Sequence, residues 1–305
     1  MNMKTQRIVW LDIAKGIAIC LMVIGHTSIP SFLSNFIWAF HMPLFFIASG
    51  WTTNFEGCNL GSFIRKKTRG LLLPFMVYSI LVIIIENSLG WKSFSELILH
   101  GWVAYALWFI PVLFFALICV KLTFLVSCRK LRMLIVGGQI MLGCSLNYWN
   151  IYLPWTLYTV PIASAFVFIG AYMKRYQRWI ELLKSPVILL LLLITVGVSM
   201  FWRLDLCFNH ILPIIPILVG SVSGSLMIFV LSARIEKRSN LFRLVFSSIG
   251  KETFVILAFS QIIIMLLNHY FVMQSLFKYI IMMIMLGMIV YLKNLVNKVF
   301  KTKIL

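Results

Sequence analysis

Ten stretches of about twenty apolar residues, separated by short polar joints, leave this chain little choice of fold. They fall near 8–29, 34–54, 71–90, 104–126, 132–148, 154–173, 185–202, 209–231, 246–268 and 274–292. Backbone polar groups inside a bilayer must be satisfied without water, so runs of this length fold as membrane-spanning helices. At 62% hydrophobic and 11% charged, the 305 residues fall outside the composition of a soluble domain. The expected fold is therefore all-α, a polytopic transmembrane helical bundle of about ten spans. The joints are too short for a second domain and no internal repeat is visible, so residues 1–305 are read as a single integral-membrane domain. The first run has the apolar character of a signal peptide but no small-residue cleavage site, and is read as retained.

The formal charge of +19 is not spread evenly. Basic residues gather in alternate joints: Lys4 and Arg7; Arg65, Lys66, Lys67 and Arg69; Arg129, Lys130 and Arg132; Lys174, Arg175, Arg178 and Lys184; Arg234, Lys237, Arg238 and Arg243; then Lys293, Lys298, Lys301 and Lys303. The intervening joints hold only Lys92, Arg203 and Lys278. By the positive-inside rule both termini are expected on the cytoplasmic side. Topology and anionic headgroups then account for the charge, with no need of nucleic acid as a partner. The six cysteines show neither a disulfide framework nor metal-ligand spacing, and no metal is expected.

Three ionisable residues interrupt the first run. At 100° per residue Lys15 and His26 lie about 20° apart around a helix and Asp12 about 40° from His26, so the three share one face. Such groups at membrane depth are costly and usually line a cavity or a substrate path. Asp12 and His26 are about 21 Å apart along the axis, too far to form a dyad, so Asp12 is expected to pair with Lys15 or with a cation of another helix. In the second run His41 precedes Pro43, which predicts a bend where the imidazole projects; a packing helix with a hydrogen-bonded core histidine is the plainer reading. Arg65, Lys66, Lys67 and Arg69 satisfy topology, and they also suit a clamp for phosphates. Tyr105, Trp108 and Phe109 suit either a sugar-stacking platform or an interfacial aromatic belt. Glu86 and Asp205 are acids on the opposite side that suit binding of acceptor hydroxyls, with loop solvation the plainer reading; His100, His210 and His269 lie on that side as solvated groups, and Lys251 and Glu252 are read as capping the ninth run.

Taken in order, these residues resemble the acyltransferase-3 family of integral-membrane acyltransferases. The likeness runs through Arg7-Ile-Val-Trp-Leu-Asp12-Ile-Ala-Lys15-Gly16, Gly25-His26, Phe40-His41-Met-Pro43-Leu-Phe-Phe46 and Ser49-Gly50. It continues in Arg65-Lys66-Lys67-Thr68-Arg69, Leu73-Pro74-Phe75, Leu107-Trp108-Phe109-Ile110 and Ile249-Gly250-Lys251-Glu252-Thr253-Phe254. Lys15 and His26 match the family's basic residue, ten intervening positions and histidine; Lys66 and Arg69 match its cytoplasmic basic pair. The resemblance implies transfer of an acyl group, most often acetyl, from acyl-coenzyme A to a hydroxyl of a cell-surface or lipid-linked glycan, in a bacterial cytoplasmic membrane. The chain departs from the pattern at Phe259-Ser260-Gln261, where sugar-acetylating relatives often carry a histidine. Gln261 can donate and accept hydrogen bonds but cannot exchange a proton near neutral pH.

The expected site follows. His26 serves as base or proton relay, since imidazole titrates closest to neutrality. His41 polarises the thioester carbonyl or shuttles a proton, Lys15 meets the donor arm, and Asp12 neutralises Lys15. Arg65, Lys66, Lys67 and Arg69 bind the coenzyme phosphates, while Trp108, Tyr105, Phe109 and Gln261 meet the acceptor. The implied partners are acyl-coenzyme A, a glycan or lipid-linked sugar, and membrane lipid. Buried Asp, Lys and His in about ten spans also describe a proton-coupled transporter or flippase, and an inactive assembly partner is a third reading. Turnover of an acyl-coenzyme A separates the enzyme from both.

Overall fold

The computed structural model describes residues 7–27, 29–90, 105–177, 183, 185–270 and 275–299; the side chains of 105, 275–277, 279, 297 and 299 lie outside the description. Lys4, Lys92, His100, Arg178, Lys184, Lys301 and Lys303 are outside it too. Among the described residues the chain forms helices and no strand. They are α1 (Val9–Gly25), α2 (Ser31–Thr52), α3 (Leu60–Lys67), α4 (Leu73–Ser88), α5 (Phe109–Leu125), α6 (Arg129–Tyr148), α7 (Val160–Met173), α8 (Ser185–Phe201), α9 (Ile214–Arg238), α10 (Asn240–Lys251), α11 (Thr253–Tyr270) and α12 (Ser275–Val299). A π-helical turn, Thr68–Leu72, fuses α3 to α4. Pro74 has no N–H to offer in the ladder, and the longer turn takes up the mismatch.

Six helical elements among the described residues are long and apolar enough to cross a membrane: Ser31–Thr52, Leu60–Ser88, Ala106–Leu125, Pro154–Tyr176, Ile214–Arg238 and Thr253–Tyr270. Ser185–Phe201 and Ile280–Val296 are shorter apolar helices. The run expected at 246–268 is divided at Glu252, because Ser239 caps a separate amphipathic helix, α10, through the Phe242 N–H. The exposed face of α10 carries Leu241, Phe242, Leu244 and Val245. Glu252 does more than cap: its carboxylate pairs with Lys293 of α12 at 2.6 Å.

The core sits around α1 and α2. α1 packs against α2, α9, α10 and α11, and α2 against α7, α8 and α9, so both are apolar nearly all round. Two crossings are close enough to require glycine. A Cβ on Gly16 would lie 2.0 Å from the Phe246 carbonyl oxygen, and one on Gly250 1.8 Å from that of Asp12. Gly50 and Gly170 mark the α2–α7 crossing in the same reciprocal way, against Val167 and Ile47. α2 runs as one element through Pro43. The ring leaves the Ala39 carbonyl without its helical partner, and the buried Ser221 hydroxyl of α9 donates to it at 2.8 Å.

Candidate active site

The end of α1 and the middle of α2 bring two imidazoles together. His26 occupies the C-cap of α1 with Nδ1 2.8 Å from the Met22 carbonyl, and His41 holds Nδ1 3.0 Å from the Ile37 carbonyl. A carbonyl only accepts, so Nδ1 carries the proton in both rings and Nε2 keeps the lone pair of the neutral form. The ring centroids are 6.4 Å apart at 86°. Trp38 packs against both, 5.3 Å from His26 and 5.6 Å from His41, and donates its indole N–H to the Gly25 carbonyl at 3.4 Å. The Arg203 guanidinium lies 4.7 Å from the Trp38 ring on an exposed side chain.

Both histidines line a cavity of about 250 Å³ together with Met22, Trp38, Met42, Ala106, Trp108, residues 204–208 and Gln261. Drug-sized ligand pockets run from roughly 300 to 1,000 Å³, so this one takes a small group. The Gln261 amide nitrogen is buried with no hydrogen-bond partner among the described residues. It is a spare donor beside two imidazoles.

One wall is a strap between α8 and α9. Asp205 and His210 exchange both backbone hydrogen bonds, at 3.0 and 2.8 Å, and Asn209 closes the turn at φ 56°, a conformation asparagine tolerates. The Tyr158 hydroxyl donates to the Cys207 carbonyl at 2.5 Å, the Thr159 hydroxyl to that of Leu206 at 2.7 Å, and the Asn147 amide to that of Asn209. Trp155 and Thr156 just before them hold φ of 60° and 53°, strained values that turn the chain so that Tyr158 and Thr159 reach the strap. Asp205 is not the solvated acid the sequence suggests. It is 6% exposed, and burial pushes its carboxyl above the usual range.

At the far end of α2 lies a second cavity, of about 390 Å³, lined by Thr52, Thr53, Asn54, Gly57, Cys58, Ser62, Phe63, Lys66 and Lys67. Asn59 caps α3 by accepting from the Ser62 N–H at 2.8 Å. The Lys67 ammonium donates to the Thr53 hydroxyl at 2.9 Å. Lys121, 3% exposed, sends its ammonium from α5 to the carbonyls of Phe55 and Cys58, at 2.5 and 2.7 Å. Both lysines lie over the Phe63 ring, at 5.6 and 5.9 Å. These ammonium groups have no carboxylate within ion-pair distance among the described residues. The wall suits an anion.

His26, His41, Trp108 and Gln261 thus line one cavity, and Lys66 and Lys67 the other. Asp12 and Lys15 join neither. Asp12 binds the Arg7 guanidinium at 2.5 Å and the Lys15 ammonium at 2.7 Å, at the opposite end of α1 from His26, because the face they share is longer than any side chain can span. Phe109 is not among the residues lining the cavity of His26 and His41; it packs in the core, 6.0 Å from Phe45 and 4.7 Å from Phe46. Arg65 and Arg69 are exposed and are not among the residues lining the basic cavity. Tyr105 opens the turn before α5, and its side chain is outside the described part. Sequence reasoning passed over Trp38 and Lys121, and for Asp205 it preferred loop solvation to contact with an acceptor. Only Lys121 carried a signal, as a lone cation in the last turns of an apolar run.

Comparison with curated proteins and with solved structures finds no match. A family model described as an acyltransferase domain matches residues 8–292, from the start of α1 to within α12, and so takes in both cavities. With nearly the whole chain covered, and with the membrane-spanning helices already described, the chain belongs to the acyltransferase-3 family and is a membrane acyltransferase.

Proposed function

We propose that the protein transfers an acyl group, acetyl by preference, from acyl-coenzyme A to a hydroxyl of a cell-surface or lipid-linked glycan in a bacterial cytoplasmic membrane, with both termini and the basic cavity on the cytoplasmic side. The observation that carries this is the meeting of two Nε2 lone pairs and a spare amide donor in one small cavity. Acyl transfer needs a base for the hydroxyl, a donor for the oxyanion and a grip on the thioester. His26 Nε2 takes the hydroxyl proton as the oxygen bonds to the thioester carbon. Gln261 donates to the oxyanion, the carbon–sulfur bond breaks, and the imidazolium returns its proton to the departing thiolate. His41 holds the second lone pair and relays that proton or orients the carbonyl. A glutamine suits this place because the step asks it for an N–H, not a titrating group.

Lys66 and Lys67 are the proposed contacts of the coenzyme phosphates. His41 and Thr52 are about 16 Å apart along α2, a span that an extended pantetheine arm can bridge. Acyl-coenzyme A turnover by the purified protein in lipid is the primary test. Lys66→Ala/Lys67→Ala is expected to raise the donor KM by about 10- to 100-fold, as lost hydrogen bonds to charged groups do, with kcat largely kept. An unchanged donor KM removes the lysines from the site. No turnover with any acyl donor by the parent protein favours the transporter reading.

A further inference from the structure

We propose that Asp205 is the hydroxyl-recognition residue of the acceptor pocket: its second carboxylate oxygen accepts a hydrogen bond from a neighbouring hydroxyl of a polyhydroxylated acceptor, beside the one that is acylated. The inference rests on the acyl-transfer reading and adds to it the chemistry that selects the acceptor. Asp205 divides its two oxygens. Oδ1 accepts the N–H groups of Cys207 at 3.1 Å and Phe208 at 3.2 Å, which closes the strap turn. Oδ2 has no partner among the described residues, although the residue is buried and lines the cavity of His26, His41 and Gln261. The Arg203 guanidinium acts on it only through its field, and the Asp205 carboxylate forms no ion pair among the described residues.

A carboxylate oxygen with no protein partner among the described residues, on a residue only 6% exposed that lines a largely apolar cavity, is poorly solvated. A bound hydroxyl supplies the missing partner, and a carboxylate accepts from hydroxyls strongly. The surroundings favour a polyol over a cation, because Arg203 already sets a positive charge over Trp38 on this side. Trp38 and Trp108 line the cavity with aromatic side chains, which suits the C–H surface of a sugar, and about 250 Å³ limits what enters to about one ring. The strap is held by Tyr158, Thr159 and Asn147 from two other segments, so the carboxylate is fixed before any ligand arrives. An ordinary solvated connection has no use for three such ties.

Asp205→Asn is the discriminating variant, since its amide oxygen still accepts from Cys207 and Phe208 while the free acceptor becomes a donor. Two quantities are read on the full-length protein in lipid: binding of a panel of methyl hexosides in the absence of donor, and acyl-coenzyme A hydrolysis in the absence of acceptor. The expected result is about 10-fold or greater weakening of hexoside binding, with hydrolysis within about twofold of the parent. The loss should shrink for the deoxy-hexoside lacking the recognised hydroxyl, because the variant and the missing hydroxyl then remove the same bond. Equal hexoside binding by parent and variant overturns the proposal, as does a parent that binds no hexoside; hydrolysis that persists in either case leaves the acyl-transfer reading standing. Asp205→Ala serves as the control for the strap. It loses both roles, and hydrolysis falling in it but not in Asp205→Asn separates the turn from the recognition.

Discussion

His26→Ala is expected to lower acyl transfer by about 10²- to 10⁴-fold, the usual contribution of a placed general base, while the donor KM stays near that of the parent. The split follows from geometry. His26 ends α1 at one face of the bundle, and the basic cavity opens beyond Thr52 at the other end of α2, so the substitution leaves the donor-binding wall untouched. The ring is held by the Met22 carbonyl, which leaves its unprotonated nitrogen as the proton acceptor of the proposed step. His41→Ala is expected to fall in the same range, and the double variant to lose little more than either single one, because two groups acting in one proton path are not additive. Single-turnover rates with preloaded donor provide the check. His26→Ala retaining more than about a tenth of the parent rate would remove the imidazole from the chemistry.

Gly250→Ala is expected to destabilise the fold by about 3 kcal/mol, the upper end of the overpacking range, although it adds a single methyl group. The new carbon would meet the backbone oxygen of Asp12 at 1.8 Å, and backbone in a paired helix cannot step aside as a side-chain tip can. Gly170→Ala should behave alike, with its Cβ 1.9 Å from the Ile47 oxygen. Gly197 in α8 is the internal reference, since a Cβ there meets nothing within 4 Å. Its alanine variant should be neutral or more stable by about 0.5–1 kcal/mol through helix propensity. Thermal unfolding in lipid–detergent micelles orders the three variants. Gly250→Ala matching Gly197→Ala in stability would mean that the α1–α10 crossing can open without cost.

Much of the bundle was legible because hydrophobic runs have one use in a membrane and basic joints repeat with the helices. What the runs could not reveal was the break at Glu252. Residues 246–268 read as continuous because apolar content does not distinguish a helix lying against α1 from one crossing with it; the distinction rests on the Ser239 cap and on Gly250, both local events. At the site, His26 and His41 were readable as ionisable groups in apolar runs joined by a short turn. The polar stripe of α1 divides along its length: the roughly 21 Å between Asp12 and His26 forbids a dyad, and Asp12 pairs with Lys15 as that spacing led one to expect, away from the cavity of His26. Asp205 was misread because its burial comes from Tyr158, Thr159 and Asn147, between 46 and 58 positions away in the chain, and no local pattern encodes such ties. Trp38 looked like one aromatic among many until its ring was found between both imidazoles and Arg203.

The Arg7–Asp12–Lys15 cluster also bears on how the chain is built. A newly made α1 must enter the bilayer long before residues 240–251 exist to close over it, and an unpaired carboxylate would resist that entry. Asp12 draws both of its cations from the first fifteen residues, so neutralisation travels with the segment. The helix can wait in lipid through the synthesis of more than two hundred further residues, its carboxylate already paired, until Gly250 arrives to settle against Asp12 and complete the bundle.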